Sequence, residues 1–281
     1  MNISENQLSR FVSDERRLIV ELLARGILNP SWRCSLGRKH FPSVVSRRFR
    51  CLCERRDRTK TIFYKSFFEN MSLGVGQIFR LAYDWLGNSP AKVTAVRRSV
   101  SPKTVYCYAR YFRQLVSAAL RESPVRVGGI GVCVEVDEMF VKKNSDGSEV
   151  WVIGALDRAR HSSFACSVLR SKSPSDIVAA IGESIRARSL LVTDALPSYS
   201  LVAQTLALPH TRVNKARGIV DRSTRMHTNS IESMWHHLRQ FLALRRQVPI
   251  DSAIDEFVWR RQNRDNLWDG FLTALAKVDW K

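Results

Sequence analysis

Three segments in the second half of the chain alternate apolar and polar residues with a period of two, the pattern of a half-buried strand. Valines at 132, 134 and 136 mark GVCVEVDEM (131–139), followed by VWVIGALD (150–157) and FACSVLR (164–170). The turn-forming NSDGS joins the first two. LLVTD (190–194) predicts a short strand that ends on an acid, and TRVN (211–214) another. Between and beyond these segments the period lengthens towards 3.6. Ser173-Pro174 opens a helix running to about Arg188, a second spans about Pro197 to Leu206, and a long one begins near Thr228. Three strands, helix, strand, helix, strand, helix predict a mixed sheet covered by helices.

That order of elements is also the order of ribonuclease H-like domains, an analogy of fold alone. The fold class expected is therefore α/β, a ribonuclease H-like mixed sheet with flanking helices, preceded by a mainly helical basic region. In that region DERRLIVELLARGIL (Asp14 to Leu28) reads as an amphipathic helix with acids in its first turn. Ser89-Pro90 and Ser101-Pro102 each offer a capping side chain followed by a proline in the first helical turn. They open AKVTAVRRSV and KTVYCYARYFRQLVSAAL. A short helix, a tight turn and a longer basic, aromatic helix outline a helix-turn-helix at about residues 89–120, whose second helix would lie in the major groove. Lys103, Arg110 and Arg113 would then face nucleic acid. An ordinary helical hairpin with solvated charges fits the same pattern.

Charge sharpens the division. The chain has 281 residues with 45 Lys+Arg against 26 Asp+Glu, a net +19. Residues 1–125 hold 23 basic and 9 acidic residues, leaving the rest nearly balanced. A basic front half points to a polyanion partner. The domains expected are 1–125, basic and DNA-binding, and 126–281, catalytic. From Ser31 to Lys65 the chain is arginine-rich around SRRFRCLCERRDRTK. It reads as a solvated loop, an import signal or a set of phosphate contacts; we take phosphate contacts, with Arg47 and Arg48 among them. No apolar run approaches the roughly 18 residues of a membrane helix, and MNISENQLSR lacks the pattern of a secretory signal. The expectation is a soluble intracellular protein with no membrane partner. Cys34, Cys51 and Cys53 could supply three ligands of a zinc knuckle, but no fourth is evident. Buried free thiols are the simpler reading of the six cysteines.

The acids carry the candidate chemistry. Asp137 is expected at the end of the first strand and Asp194 at the end of the fourth, at one sheet edge if those strands are parallel neighbours. At about 100° per residue, Ile231, Met234, Trp235, Leu238, Phe241 and Leu242 form one apolar stripe. Glu232 borders it, on a ridge with Arg239 and Arg246. The three acids, 57 and 38 residues apart, can therefore converge. Three hard carboxylates suit Mg²⁺ or Mn²⁺, and such ions support phosphoryl transfer. Arg239 and His236 would handle phosphate charge. Turn aspartates and a solvated helix glutamate are the plainer alternative.

Several stretches resemble the Merlin superfamily of DDE transposases, which are related to bacterial insertion-sequence transposases. They are VEVDEMFVKK (134–143), WVIGALDR (151–158), VTDALPSY (192–199), HTRVNKARGIVD (210–221), HTNSIESMWHHLR (227–239) and EFVWRR (256–261). With FYKSFFENMSLGVGQIFRLAYDWL before them, the resemblance covers about residues 60–262. It implies a metal-dependent nuclease and strand-transfer enzyme with the triad Asp137, Asp194 and Glu232. It also implies terminal inverted repeats and target DNA as partners, a homodimer or larger assembly on DNA ends, and a nuclear location, or cytoplasmic if bacterial. Tyr199, Asn229 and Trp235 would shape the site. Arg239 stands where the family often has Lys, and the family's zinc-ribbon-like N-terminus looks incomplete here. A host-adopted DNA-binding protein without catalysis and a structure-selective nuclease are the competing readings.

Overall fold

The first helix, α1 (Glu5–Ser13), opens on a reciprocal cap. Ser4 Oγ accepts from Gln7 N–H, and the Gln7 side chain accepts from Ser4 N–H, satisfying two N-terminal donors at once. Asp14 then caps α2 (Glu15–Ala24) through the N–H groups of Arg16 and Arg17. The computed structural model describes residues 3–53, 58–213 and 226–280. It divides into two units, Met1–Glu122 with Asp265–Lys281, and Ser123–Arg264. The C-terminal segment belongs to the first unit and not to the second. Its helix, Leu267–Lys277, brings Trp268 against Phe11 and Phe79, and Phe271 against Phe112. Large rings bury more apolar area than most side chains, so this helix joins the aromatic core it completes.

The arginine-rich stretch is not a plain loop. It forms five very short strands: β1 (Trp32–Arg33), β2 (Lys39–His40), β3 (Pro42–Ser43), β4 (Arg48–Cys51) and β5 (Arg58–Thr61). β1 pairs with β2, and β3, β4 and β5 form an antiparallel sheet. Three helices follow, α3 (Val75–Leu86), α4 (Ala91–Arg98) and α5 (Pro102–Glu122). α4 and α5 follow one another closely, with Ser99 at φ 52° at the end of α4. Ser101 accepts from Thr104 N–H at the start of α5, as expected. Ser89 does not cap α4: Pro90 holds the cap position, and Ser89 N–H is donated back to Asp84 carbonyl. Asp84 ties these helices together. It is buried, with Arg97 at 2.9 Å and Arg98 at 2.7 Å, and Arg98 reaches on to Glu5 at 2.7 Å.

The second unit is the mixed sheet. Its strands are β6 (Cys133–Lys143), β7 (Glu149–Asp157), β8 (Phe164–Leu169), β9 (Leu190–Thr193) and β10 (His210–Arg212), in the order β10-β9-β6-β7-β8. β6, β7 and β8 pair antiparallel, while β9 and β10 run parallel to β6. This is the ribonuclease H-like topology the element order predicted. Helices α6 (Pro174–Ile181), α7 (Ser198–Thr205), α8 (Asn229–Ala243) and α9 (Ile250–Gln262) cover it. α6 stops well short of Arg188, because the chain beyond one 3₁₀ turn pairs instead with Val127. Val127 N–H donates to Ser184 carbonyl, and Arg186 N–H to Val127 carbonyl. Asp137 is likewise not at a strand end: β6 continues to Lys143 because the hairpin partner β7 pairs with it to Glu149.

One buried ionic group anchors the far side. Glu256 of α9 accepts from Arg245 at 2.8 and 3.2 Å and from Arg260 at 2.8 Å. Burial pushes the Glu256 carboxyl up, but the bonds and charges of Arg245 and Arg260 outweigh it and the net direction is down. For Arg260 burial wins and the direction is also down; a guanidinium starts so high that it stays charged. No helix of the described residues is long and apolar enough to cross a membrane.

Candidate active site

Alternation along β6 sends Glu135 and Asp137 to one face, and both reach α8. Glu135, fully buried, accepts from the N–H of Ile231 at 3.0 Å and pairs with Arg158 at 2.8 Å. Arg158 in turn donates to the carbonyl of His227. The first turn of α8 is thereby fixed to the strand by a carboxylate at a helix N-terminus, where negative charge is favourable. One turn on, Trp235 Nε1 donates to Asp137 Oδ2 at 2.9 Å. Asp137 itself is 8% exposed.

The indole needs a gap in the sheet, and Gly154 provides it. Gly154 is the β7 partner of Asp137. A Cβ there would stand 2.6 Å from Trp235 Cη2 and 2.7 Å from Phe164 Cε2, so no larger residue fits without moving two rings. Trp235 packs edge-on to Phe164 at 5.7 Å between centroids, Phe164 to Phe257 at 6.1 Å, and Phe257 to Phe241 at 5.3 Å.

Asp194 arrives from the neighbouring strand. The parallel ladder of β6 with β9 ends at Glu135 and Val192. Asp194 follows directly on Thr193, the last residue of β9, and Asp137 lies two residues beyond Glu135, the last β6 residue of that ladder. Asp194 Oδ1 accepts from Leu196 N–H at 3.0 Å, which turns the chain into α7. Tyr199, fully buried on α7, donates its hydroxyl to Glu138 at 2.6 Å. Burial first, then the charges of Glu138, Asp137 and Asp194, push that hydroxyl up. It stays protonated and donates to the carboxylate. Lys172 meets Glu138 at 3.1 Å and lies over the Trp151 ring at 3.5 Å.

Glu232 is exposed on α8, one residue from the Ile231 anchor and one turn before the Trp235 anchor. Of the expected apolar stripe, Ile231, Met234, Trp235 and Leu238 are buried, while Phe241 and Leu242 are half-buried. Asp137 and Asp194 each lie two residues past the Glu135–Val192 end of the β6–β9 ladder, and α8, on which Glu232 is exposed, lies on the face of β6 that holds Asp137. The three acids are not closed around a single ion. Among the described residues, one group of His, Cys, Asp or Glu ligand atoms lies wholly within 4.8 Å, and it is in the other unit. His236 and Arg239, at i+4 and i+7 from Glu232 and so on the same side of α8, are exposed, with His236 Nε2 2.9 Å from the Gln240 amide. Sequence reasoning passed over Glu135, Arg158 and Gly154, which position the acids. The VEVD alternation alone would have put Glu135 beside Asp137.

In the first unit Lys103 and Arg110 are exposed on α5, and Arg113 is half-buried. Arg47 is engaged by Glu15 in a two-pronged pair at 2.7 and 2.6 Å, so its guanidinium is partly neutralised. Arg48 is exposed, 3.4 Å from Thr59 Oγ1. Residues 214–221 of the HTRVNKARGIVD stretch lie outside the described residues.

Residues 130–247 match the family described as ISXO2-like transposase domain. No curated protein sequence matches the chain. Among solved structures the chain is similar to a simian T-cell lymphotropic virus intasome bound to the PP2A regulatory subunit B56 gamma. The identity is 14% and the TM-score 0.37, over 64% of this chain and 67% of that one. It is also similar to the catalytic core domain of HTLV-2 integrase in complex with magnesium, at 12% identity and TM-score 0.34, over 48% and 86%. A third is the Mos1 transposase paired-end complex with the left transposon end, at 13% identity and TM-score 0.23, over 72% and 79%.

Proposed function

We propose that the chain is a DDE transposase, of Merlin type, that binds transposon-end DNA and carries out metal-dependent cleavage and strand transfer. The observation that carries this reading is the end of the β6–β9 ladder at Glu135 and Val192, two residues before Asp137 and Asp194, beneath an α8 whose first turn is pinned by Glu135. The match of residues 130–247 to a transposase domain supports it independently.

The donor set fits the group such an enzyme uses. Asp137, Asp194 and Glu232 offer only carboxylate oxygens, the ligands hard divalent cations take. They would hold Mg²⁺ or Mn²⁺, which when bound activates an attacking hydroxyl and stabilises the departing oxygen at phosphorus. The chain's own residues do the positioning. The Trp235 indole fixes the Asp137 carboxylate, Glu135 fixes the helix that presents Glu232, and the protonated Tyr199 holds Glu138. His236 and Arg239, exposed further along α8, are placed to meet phosphate oxygens. Arg presents a planar fork for this where Lys would present a point charge. The expected partners are terminal inverted repeats and target DNA. Joining two ends calls for a homodimer or larger assembly. The enzyme would work in the nucleus, or in the cytoplasm of a bacterial host.

Two experiments test the reading. Purified chain with Mg²⁺ and DNA bearing its element's ends should produce strand breaks that a chelator abolishes. Binding without breaks at any divalent concentration would identify a host-adopted DNA-binding protein, and breaks without joining a structure-selective nuclease. Binding should also weaken steeply with salt, through phosphate contacts from Lys103, Arg110, Arg113 and Arg48. If six or more phosphates are neutralised, affinity falls about 10³-fold or more between 50 and 200 mM salt. A flat dependence measured by fluorescence anisotropy would remove the electrostatic basis of the proposal.

A further inference from the structure

Between Asp84 and Glu122 the chain carries no acid and seven Lys or Arg. Of these, Arg97 and Arg98 pair with Asp84. A stretch so one-sided in charge matches a polyanion. Two helices fill most of it, α4 and the 21-residue α5, joined by residues 99–101. Ser101 closes the joint: its hydroxyl accepts from Thr104 N–H at 3.0 Å and lies 2.9 Å from the Thr104 hydroxyl. We propose that Tyr106, one turn into α5, reads the base sequence of the DNA end by packing its ring on a thymine 5-methyl group in the major groove. This rests on the reading of the chain as a binder of transposon-end DNA, and names the residue that selects among sequences.

The two sides of α5 differ. Tyr108 and Phe112 are buried. The Tyr108 hydroxyl accepts from Leu73 N–H at 3.2 Å, and Phe112 packs on Phe67, Trp85 and Phe271 at 6.0, 5.6 and 5.4 Å between centroids. That side holds the helix in place. On the other, Lys103, Tyr106, Arg110 and Gln114 are exposed, at intervals of three, four and four residues that align them along one face. Tyr106 is 62% exposed. A single exposed ring means little by itself; here it is the uncharged, apolar group between two cations, on a helix whose opposite side is fixed.

The chemistry divides between the charges and the ring. The Arg110 guanidinium lies over the Tyr111 ring at 5.5 Å, and at 100° per residue Tyr111 is about 140° round the helix from Tyr106. The charge is thus drawn to the flank, towards the groove wall where phosphates stand. Phosphate contacts set register and orientation; base edges carry the sequence. In the major groove the base pairs present hydrogen-bonding groups, and the apolar feature among them is the thymine methyl. When two helices are joined this tightly, the second can lie in that groove with its first turns against the base edges. An aromatic ring in the second turn of α5 meets the methyl there.

Full-length chain is first used to enrich duplexes from a random-sequence pool. The enriched duplex is then remade with deoxyuridine for each thymine in turn, which removes only the methyl, and affinities are read by fluorescence anisotropy. For the wild-type chain one such replacement should weaken binding about fourfold, the worth of one buried carbon. Tyr106→Ala should abolish that loss. Tyr106→Phe should keep it, since the ring and not the hydroxyl makes the contact. Val96→Ala, at the 84% exposed valine of α4, should leave it in place. Tyr106 is at the surface, so the melting temperature of Tyr106→Ala should match wild type. Deoxyuridine without effect at every position, a loss that persists in Tyr106→Ala, or one that vanishes in Tyr106→Phe would overturn the proposal. So would tight binding that enriches no sequence, which leaves the transposase reading standing; a chain that binds no duplex removes both.

Discussion

Glu232→Gln should slow strand cleavage by about 10³-fold or more, roughly 4 kcal/mol of transition-state stabilisation, without changing the fold. Glu232 is the cleanest of the three acids to test. It is exposed on α8, and the helix is held by other groups, Glu135 at Ile231 N–H and Asp137 at Trp235. As an acid in the first helical turn it contributes about 0.3–1 kcal/mol to stability. The melting temperature should therefore move by only a few degrees while activity disappears. Asp137→Asn is less informative, because it also alters the acceptor of the buried indole. Cleavage assays with equal amounts of folded protein decide the matter. A Glu232→Gln enzyme within threefold of wild type would strike Glu232 from the site.

Glu256→Ala should destabilise the second unit by about 3–5 kcal/mol, the penalty for leaving a buried charge without its partner. Two guanidiniums are stranded, since Arg245 and Arg260 both pair with Glu256. In a unit of this size that corresponds to a fall in melting temperature of about 10 °C or more. The Glu256 carboxyl is held below its unfolded value, so its contribution is fully present above the ordinary carboxylate range. It is lost as pH falls through the lowered value, and the gap between Glu256→Ala and wild type should close in acid. Replacing all three residues by well-packed apolar ones should recover most of the stability. A shift under 1 kcal/mol in urea titration for Glu256→Ala alone would mean water reaches the group.

The periodicity of the second half carried most of its architecture. Strands with valine at every second position and helices opened by Ser-Pro obey local rules, and tertiary packing here follows them. The misses have identifiable causes. α6 ends early because Val127, far away in sequence, competes for the chain after Ser184. Asp137 sits in mid-strand because β7 extends the ladder past the point where β9 leaves it. β1 to β5 were illegible because strands of two to four residues have no period to detect. The same holds for the site. Three acids could be selected from the sequence as candidates. Glu135 could not be told from an ordinary strand residue until α8 was seen to lie across it, and Gly154 acquired a reason only from the Trp235 ring above it.

The chain of rings running Trp235, Phe164, Phe257, Phe241 begins at the residue that grips Asp137. Packed interiors do not deform smoothly, and displacement of one ring is passed to the next. A random mutational screen scored by activity would therefore return Phe257 and Phe164 alongside the acids, although neither touches a carboxylate oxygen. In this fold loss of function is a poor map of chemistry. The map becomes readable only when each hit is also weighed for whether the indole still faces its aspartate.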